Sequence, residues 1–586
     1  MLSRSFFLAL IMSTAFGLAH AETASLEFTS NVNKSIQAVA TESLPEEDTP
    51  QTLLEARRQA RRAANSVRDA LNAEGYFDPQ IDFAVEAGPP LKPRVRVNPG
   101  ARFNIGTITV DYKNTPPPPD IAEKAFSRLE PATGEKAIPS KIIDGERQIT
   151  QLLQQEGYPF VKADDRETIG DRDTATIDVT YAIKTGPRIS FGSVIYPANI
   201  RTKASHLRRL VPFKEGERYT PAQLALLNAR LSETRLFSSA TATLAEVASR
   251  KGENGDDIRD VIIKAVERPR NTIATGVRVS TAEGFGLTGE LTRRNFTRRG
   301  DLLIATLDIA ELKTELDIKW RRPNEFGYGR GLVLGAFAAT EDTDAFQSKS
   351  VGVSAGYDVE RNASTSFSYG VQAETVSETD DFGKRNLQIA SAYASARVDR
   401  ADSVLDPRKG WRAEARVQPS YAFGGGDSQY VRTSAQVRGY LPLDEDGKYV
   451  IAGRLRGGNV FGASAADIPT DDRFYAGGGG SVRGYGYQAI GPRSSDNDPL
   501  GGKALLEGSI EARFKVRRKI GAVAFVDAGS VSSSEQPELS DVQIGAGVGV
   551  RYATPVGPIR FDVAVPLDKR SFDDPFQIYI SIGQAF

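Results

Sequence analysis

Cysteine is absent from this 586-residue chain, and histidine, methionine and tryptophan occur only twice each. Without cysteine the chain forms no disulfide and has no thiolate nucleophile. Two histidines are too few for the histidine clusters that hold catalytic metals. One of them, His206, lies in a basic segment with a helical pattern, and we interpret it as a structural or surface residue. We therefore expect no metal, no cofactor and no enzymatic activity.

A surplus of charge of either sign is also absent. The chain has 74 lysine and arginine residues against 75 aspartate and glutamate residues, which gives a formal net charge of −1. Domains that bind nucleic acid usually carry a marked basic surplus. The balance therefore gives no support to nucleic acid as a partner.

Long hydrophobic runs are absent beyond the first 21 residues. Residues 1–21 combine Arg4, an apolar stretch over 6–18 and the triplet Ala19-His20-Ala21, a pattern that predicts a secretory signal peptide. We expect the mature chain to begin at Glu22. A membrane helix needs ~20 consecutive apolar residues, and no later stretch approaches that length. If the exported chain crosses a membrane, it does so as a β-barrel.

The N-terminal half contains one pattern repeated three times. Glu74-Gly75-Tyr76 recurs as Glu156-Gly157-Tyr158, each at the end of a helical pattern, and the third copy is degenerate at Arg235-Leu236-Phe237. In the middle copy the patterns predict a strand, two helices and two further strands near 160–168 and 174–184. We predict three α+β units, at 22–100, 101–186 and 187–269.

Each unit would offer a sheet edge and a groove beside a helix. This arrangement suits an extended peptide that binds by strand addition, and a spacer without a ligand is the alternative. The first unit also carries a basic helix face, for which a solvated surface is the simplest interpretation and lipid headgroups or a partner protein are the alternatives. Its residues are Arg57, Arg58, Arg61, Arg62 and Arg68.

From residue 270 the helical periodicity gives way to short alternating segments. We predict sixteen strands, which begin near 272, 283, 301, 313, 330, 349, 364, 384, 410, 429, 448, 504, 519, 541, 557 and 575. Alternation of outward apolar and inward polar residues over ~10 positions is typical of a transmembrane barrel. A soluble sandwich shows similar alternation, but the signal peptide and the even strand number favour the barrel. The predicted fold is α+β repeats followed by an all-β transmembrane barrel of sixteen antiparallel strands over 270–586.

The last strand shows the alternation most clearly. We predict that one face carries Phe576, Ile578, Ile580, Ile582 and Phe586. The other face would carry Gln577, Tyr579, Ser581 and Gly583. We expect this strand, with Phe586, to act as the signal for the protein's own assembly.

Segment 460–503 is the longest connection between predicted strands. A barrel of sixteen strands leaves a lumen too wide for wall side chains to fill, so we expect this segment to fold inward. Within it, 473–485 combines four consecutive glycines, flanking aromatic residues and one enclosed arginine. The motif residues are Arg473, Phe474, Gly477, Gly478, Val482, Arg483, Gly484 and Tyr485.

Arg483 is the residue of this motif that needs a partner. We predict that it pairs with Glu511 and Asp527 on the next two strands, because a carboxylate between Val526 and Ala528 is costly unless paired. The motif lacks the Lys-Ser or Lys-Thr of a phosphate-binding loop, and it has arginine where a nucleophile elbow needs glycine. A flexible glycine hairpin is the remaining alternative.

In these features the chain resembles the BamA/TamA superfamily. The resemblance rests on the repeats, on Val482-Arg483-Gly484-Tyr485 in an inward loop, on Asp527 in a Phe-x-Asp-x-Gly stretch and on the terminal aromatic residue. Three repeats are typical of the TamA branch. The resemblance implies that the repeats are POTRA domains, that 406–411 is a periplasmic turn, and that a weak seam near Gly583 joins the first and last strands.

The resemblance also implies a function. It predicts an assembly factor in the Gram-negative outer membrane, with POTRA units in the periplasm, that helps barrel-type and autotransporter-type proteins insert or translocate. The implied partners are the lipid bilayer, unfolded client chains and a TamB-like, inner-membrane-anchored protein that contacts the first POTRA unit. The alternative is a transport pore of the same superfamily that secretes protein, as in two-partner secretion, or passes lipid.

Overall fold

The structure is a computed structural model that describes residues 24–29, 32–86, 88–253, 255–555 and 557–586. The predicted signal peptide and the predicted start of the mature chain lie outside these residues. By its internal contacts the chain falls into two compact units. The first comprises residues up to 193 with 213–226 and 243–261, and the second comprises 194–212, 227–242 and 262–586.

The first repeat has the predicted order of elements, β-α-α-β-β. These are β1 (Ser25–Phe28), α1 (Lys34–Glu42), α2 (Leu53–Ala73), β2 (Gln80–Glu86) and β3 (Lys92–Asn98). Its sheet has the order β1-β3-β2, with β1 parallel and β2 antiparallel to β3. The Thr52 side chain caps α2 by accepting a hydrogen bond from the Glu55 amide. One face of α2, with Val67 and Leu71, packs in a core with Val95 and Val97 of β3.

The second repeat differs from its prediction in one strand. Its elements are β4 (Asn104–Tyr112), α3 (Pro119–Ser127), α4 (Pro139–Gln155), β5 (Lys162–Ala163), β6 (Glu167–Asp171) and β7 (Thr176–Lys184). The single strand predicted at 160–168 is wrong, because both β5 and β6 pair with β7 and an extra residue between them shifts the register. Gly157 ends α4 at φ +98°, as Gly75 ends α2 at φ +88°.

The third repeat contributes to both compact units. Its elements are β8 (Ile189–Ile195), α5 (Ala204–Arg208), α6 (Pro221–Glu233), β9 (Phe237–Leu244), β10 (Arg250–Lys251) and β11 (Asp257–Glu267). Arg235 follows α6 at φ +54°, so the degenerate copy keeps the left-handed turn that glycine makes in the other two. Among the described residues, no helix is both long enough and apolar enough to span a membrane.

The second half of the chain is a closed barrel of sixteen antiparallel strands. Each predicted strand starts within a few residues of an observed one. The strands are β12 (Asn271–Ser280), β13 (Gly284–Arg294), β14 (Leu302–Ala310), β15 (Lys313–Arg322), β16 (Arg330–Asp342), β17 (Phe346–Asn362), β18 (Thr365–Asp380), β19 (Gly383–Asp399), β20 (Gly410–Phe423), β21 (Ser428–Pro442), β22 (Tyr449–Phe461), β23 (Ala504–Lys515), β24 (Ile520–Ser532), β25 (Gln543–Thr554), β26 (Gly557–Pro566) and β27 (Gln577–Ile582).

The strands alternate as predicted, with apolar residues outward and polar residues inward. On β24 the Val526 side chain is 49% exposed, whereas Asp527 is fully buried. We call the barrel end where β12 begins the near end and the opposite end the far end. The near end carries the connections 295–301, 400–409, 443–448 and 516–519, and the far end carries 462–503.

The last strand is only partly as predicted. Ile580 and Ile582 are exposed, and Tyr579 is buried on the inner face. The placement of Phe586 on the outward face is wrong. The strand ends at Ile582, Gly583 takes φ +96°, and the chain turns inward so that Phe586 is buried.

The seam between the first and last strands is short. Only Val279↔Ile580 and Ser280↔Tyr579 pair β12 with β27, whereas all ten residues of β12 pair with β13. Most of one edge of β12 therefore has no ladder partner among the described residues.

Candidate functional site in the barrel lumen

The long connection folds into the barrel. It runs over 462–503, two residues shorter at its start than predicted, because 460 and 461 belong to β22. Its side chains Val482 and Ile490 are buried in one cluster with the wall residues Leu505 and Val531. The segment therefore fills space in the lumen.

Arg483 lies against both of the predicted carboxylates and is only 2% exposed. Its Nε and Nη2 donate to Asp527 Oδ2 and Oδ1 at 2.7 and 2.9 Å, which is a bidentate pair. Its Nη1 donates to Glu511 Oε1 at 2.8 Å. The guanidinium carbon also lies 3.4 Å from the ring centroid of Phe525. This set of contacts fixes the arginine in one orientation.

A third carboxylate, which the sequence analysis missed, completes the cluster. Asp562 on β26 accepts from Arg483 Nη1 at 3.2 Å and is fully buried. It also forms an ion pair with Arg551. The signal was present, because Asp562 interrupts the apolar residues Phe561 and Val563 in the same way that Asp527 interrupts its own strand.

The glycine segment is clamped in place. Gly477, Gly478 and Gly484 have φ values of +106°, +97° and +101°, which other residues rarely adopt. A Cβ on Gly484 would lie 2.7 Å from the backbone of Val565. Arg454 on β22 donates to the carbonyls of residues 480 and 481 at 2.6 and 2.7 Å. The flexible-hairpin alternative does not fit these contacts.

Arg473, at the start of the motif, lies apart from Arg483 on another part of the wall. Its Nη2 donates to Asp380 Oδ2, at the far end of β18, at 2.6 Å. The next residue, Phe474, packs under the guanidinium of Arg432 on β21. The loop is thus anchored to two separate regions of the barrel wall. Local sequence offered no sign of Asp380, because barrel closure brings that residue to the loop.

The loop also contacts both sides of the seam. The Gly479 amide donates to Glu283 Oε1 at 2.8 Å, in the connection that follows β12. The Gly484 amide donates to Tyr579 Oη of β27 at 3.2 Å. The Tyr485 hydroxyl donates to the Ile544 carbonyl at 3.1 Å. The motif therefore holds the far end of the seam together.

Two chains of contacts lead from Arg483 to the inward segment 583–586. In one, Glu511 also accepts from Arg513, and Arg513 Nη2 donates to the Phe586 carbonyl at 3.2 Å. In the other, Asp562 pairs with Arg551, whose Nε donates to Gln584 Oε1 at 2.9 Å. The predicted turn 406–411 takes part, since Asp406 accepts from Gln584 Nε2 at 2.8 Å.

His206 is a buried residue of the second compact unit. Its side chain is 1% exposed, neither ring nitrogen has a hydrogen-bond partner among the described residues, and a Cβ on Gly300 would overlap the ring. Burial lowers its pKa to about 4.

The arginines of α2 are mostly exposed, and Arg62 pairs with Glu47. No metal-binding group of three acidic, histidine or cysteine side chains occurs in the described part of the chain.

Comparison with known proteins identifies the family. Residues 295–586 match the Omp85 superfamily domain, and residues 27–99 match the first POTRA domain of TamA. The barrel domain belongs to the Omp85 superfamily. The chain combines this outer-membrane barrel with a POTRA domain in its first repeat.

Individual relatives match most of this chain. The outer membrane protein assembly factor BamA of Nitratidesulfovibrio vulgaris is 26% identical over 537 residues, which cover 87% of this chain and 66% of that protein. BamA of Neorickettsia risticii is 22% identical over 545 residues, covering 88% and 71%. The chain thus spans about two thirds of the length of these relatives. The crystal structure of BamA from Haemophilus ducreyi lacking POTRA domains 1–3 has a TM-score of 0.66 at 20% identity and covers 82% of this chain and 100% of that chain.

Proposed function

We propose that this protein is an assembly factor that helps barrel-type and autotransporter-type proteins insert into or cross the Gram-negative outer membrane. The observation that carries the proposal is the seam, where β12 pairs with β27 at two positions and with β13 at ten. An unpaired strand edge presents backbone donors and acceptors that can template an incoming strand. The relatives named as assembly factors support this proposal.

The POTRA units would receive unfolded client chains in the periplasm. The edge strands β2 and β6 have exposed residues along their length, including Phe83 and Ile169 at 48% and 59% exposure. An extended chain could add to such an edge through main-chain hydrogen bonds, and its apolar side chains could contact these residues. This action requires no catalytic group and no cofactor.

A finer proposal places the protein in the TamA branch. The match of 27–99 to the first POTRA domain of TamA supports it. A TamB-like, inner-membrane-anchored partner would then contact the first unit. The exposed arginines 57, 58 and 61 of α2 have no ion-pair partner among the described residues and offer a basic face for that contact.

The seam can be tested with engineered disulfides, because the chain has no cysteine of its own. Val279→Cys with Ile580→Cys joins two directly opposite residues of β12 and β27. Val277→Cys with Leu287→Cys joins β12 to β13 and serves as the control. We expect the oxidised seam variant to lose insertion of an unfolded barrel client into lipid vesicles, and reduction to restore it. Unchanged insertion by the locked seam would reject the proposal.

A further inference from the structure

A basic cavity of about 110 Å³ lies at the near end of the barrel, where β22 to β25 meet the connection 516–519. Eight cationic residues and one carboxylate, Asp406, line it. The cations are Arg408, Lys448, Lys515, Arg517, Arg518 and Lys519, with the buried Arg513 and Arg551. Since the whole chain has a net charge of only −1, this is a strong local concentration of positive charge.

Half of these cations have no internal counter-charge. Arg408 pairs with Asp406 and Lys448 with Asp446, and the two buried arginines pair with Glu511 and Asp562. Within the described residues, no carboxylate lies within ion-pair distance of the other four, Lys515, Arg517, Arg518 and Lys519. Like charges this close repel one another, and a bound anion would relieve the repulsion.

Apart from Gln584, the remaining wall of the cavity is apolar. Val450, Phe514, Ile520 and Pro558 line it alongside the charged groups. A small inorganic anion would use the charges but not this wall. A ligand with a phosphate group attached to an apolar body would use both.

Exposed aromatic residues show the level of this cavity relative to the membrane. Trp411, Tyr449, Phe514 and Tyr552 lie on the outer surface, each within about two residues of the near end of its strand. Tyr449 and Phe514 are direct cross-strand neighbours, with ring centroids 6.2 Å apart. Such an aromatic girdle marks the headgroup region of a bilayer. The connection 516–519 follows directly after it, so its cations lie at headgroup level.

We propose that this cavity binds the phosphate of an anionic phospholipid headgroup. Lys515, Arg517, Arg518 and Lys519 contact the phosphate, and the exposed side chains of Phe514 and Ile520 contact the glycerol and the start of the acyl chains. The site is independent of the seam and would hold a lipid whether or not a client is present. It would fix the near end of β23 and β24 at the bilayer surface.

The test uses the full chain in detergent and native mass spectrometry of bound lipid. Phosphatidylglycerol and phosphatidylcholine are offered at equal concentration to the wild type and to the variant Arg517→Gln/Arg518→Gln/Lys519→Gln. The matched control, Arg298→Gln/Arg299→Gln/Arg361→Gln, removes three exposed near-end cations that lie outside the cavity. We expect the wild type to retain phosphatidylglycerol in preference, the cavity variant to bind it at least about tenfold more weakly, and the control to change less than about twofold.

Two further measurements distinguish a lipid phosphate from inorganic phosphate and exclude misfolding as the cause of weaker binding. Displacement of the lipid by millimolar inorganic phosphate would show that the phosphate alone is recognised, and failure to displace it would show that the lipid body contributes. Arg518→Glu changes one exposed side chain and should leave the heat-modifiable electrophoretic mobility of the barrel unchanged. It should weaken lipid binding more than Arg518→Gln does. Equal loss in the cavity variant and the control, no preference for phosphatidylglycerol, or binding of polyglutamate in place of lipid would overturn the proposal.

Discussion

Arg513 donates a hydrogen bond to the backbone carbonyl of Phe586, with 3.2 Å between Nη2 and O. The same guanidinium binds Glu511, whose other oxygen accepts from Arg483 of the inward loop. The aromatic ring of Phe586 also faces Arg513 and Arg454. The position of the last residues is therefore linked to the loop motif through one buried carboxylate.

Replacing Arg513 should release residues 585 and 586 from the inner wall, while Gln584 keeps its contacts with Arg551 and Asp406. In Arg513→Gln, Glu511 keeps its contact with Arg483, so we expect the barrel to stay folded while Phe586 loses its donor. A single cysteine at Ala585, which is partly buried beside Phe586, reports the change. Its rate of modification by a water-soluble maleimide should rise several-fold. Arg438→Gln removes an inward arginine that has no hydrogen bond to the segment 583–586 among the described residues, and it should leave the rate unchanged. Equal rates in all three proteins would contradict the prediction.

Much of this site could be predicted from the sequence because its signals are local. Alternation along each strand gave the strand starts, and Glu511 and Asp527 lie on the two strands that follow the loop. Asp562 carried the same local signal as Asp527, a carboxylate between apolar residues, and was missed, whereas the contact with Asp380 depends on the closed barrel, which brings a strand far away in sequence to the loop. The inward turn of Phe586 depends on Gly583 and on arginines of other strands. Strand periodicity carries no information about either.

His206 should make the second compact unit sensitive to acid. Its pKa is lowered to about 4 by burial, whereas the unfolded chain has a pKa near 6.5. As the pH falls below 6.5 the unfolded state takes up a proton that the folded state does not. The free energy of unfolding should therefore decrease, by up to about 3 kcal/mol at pH 4.

The measurement compares wild type with His206→Gln, which cannot titrate. Hydrogen exchange of α5 and of the connection 295–301 should accelerate between pH 6.5 and 4 in the wild type, relative to the variant. Asp301, Glu325, Arg209 and Arg322 also act on the ring electrostatically and are present in both proteins. Parallel pH profiles for the two proteins would show that His206 has no such effect.

Removing the glycine motif should open the lumen. Phe474, Val482 and Tyr485 are buried against the wall, so deleting 473–485 removes packed volume from inside the barrel. We expect a higher single-channel conductance in planar bilayers. Deleting 539 and 540, two exposed residues of a far-end connection, serves as the control and should leave the conductance unchanged. Equal conductance after both deletions would indicate that another segment closes the lumen, as expected for a secretion pore with its plug elsewhere.

Arg483 and Asp527 should behave as one unit in a double-mutant cycle. Either alanine variant leaves buried charge without its partner, and each should lower the free energy of unfolding by about 3–5 kcal/mol. Because both changes break the same bidentate pair, the double variant should cost less than the sum of the two, with a coupling of about 1–3 kcal/mol. Arg483→Lys should not restore the stability that Arg483→Ala loses, because one ammonium cannot donate to both oxygens of Asp527 and to Glu511 in this geometry.

These free energies are measured by urea unfolding. The folded fraction at each urea concentration is read from the heat-modifiable electrophoretic mobility of the barrel. Arg438→Ala combined with Asp527→Ala provides the matched control, because Arg438 is another inward arginine without a contact to Asp527. That pair should be additive within about 0.5 kcal/mol. Additivity of Arg483→Ala with Asp527→Ala would mean that the bidentate pair contributes nothing to stability. In that case Glu511 and Asp562 alone would hold the arginine, and Asp527→Asn should leave the loop in place.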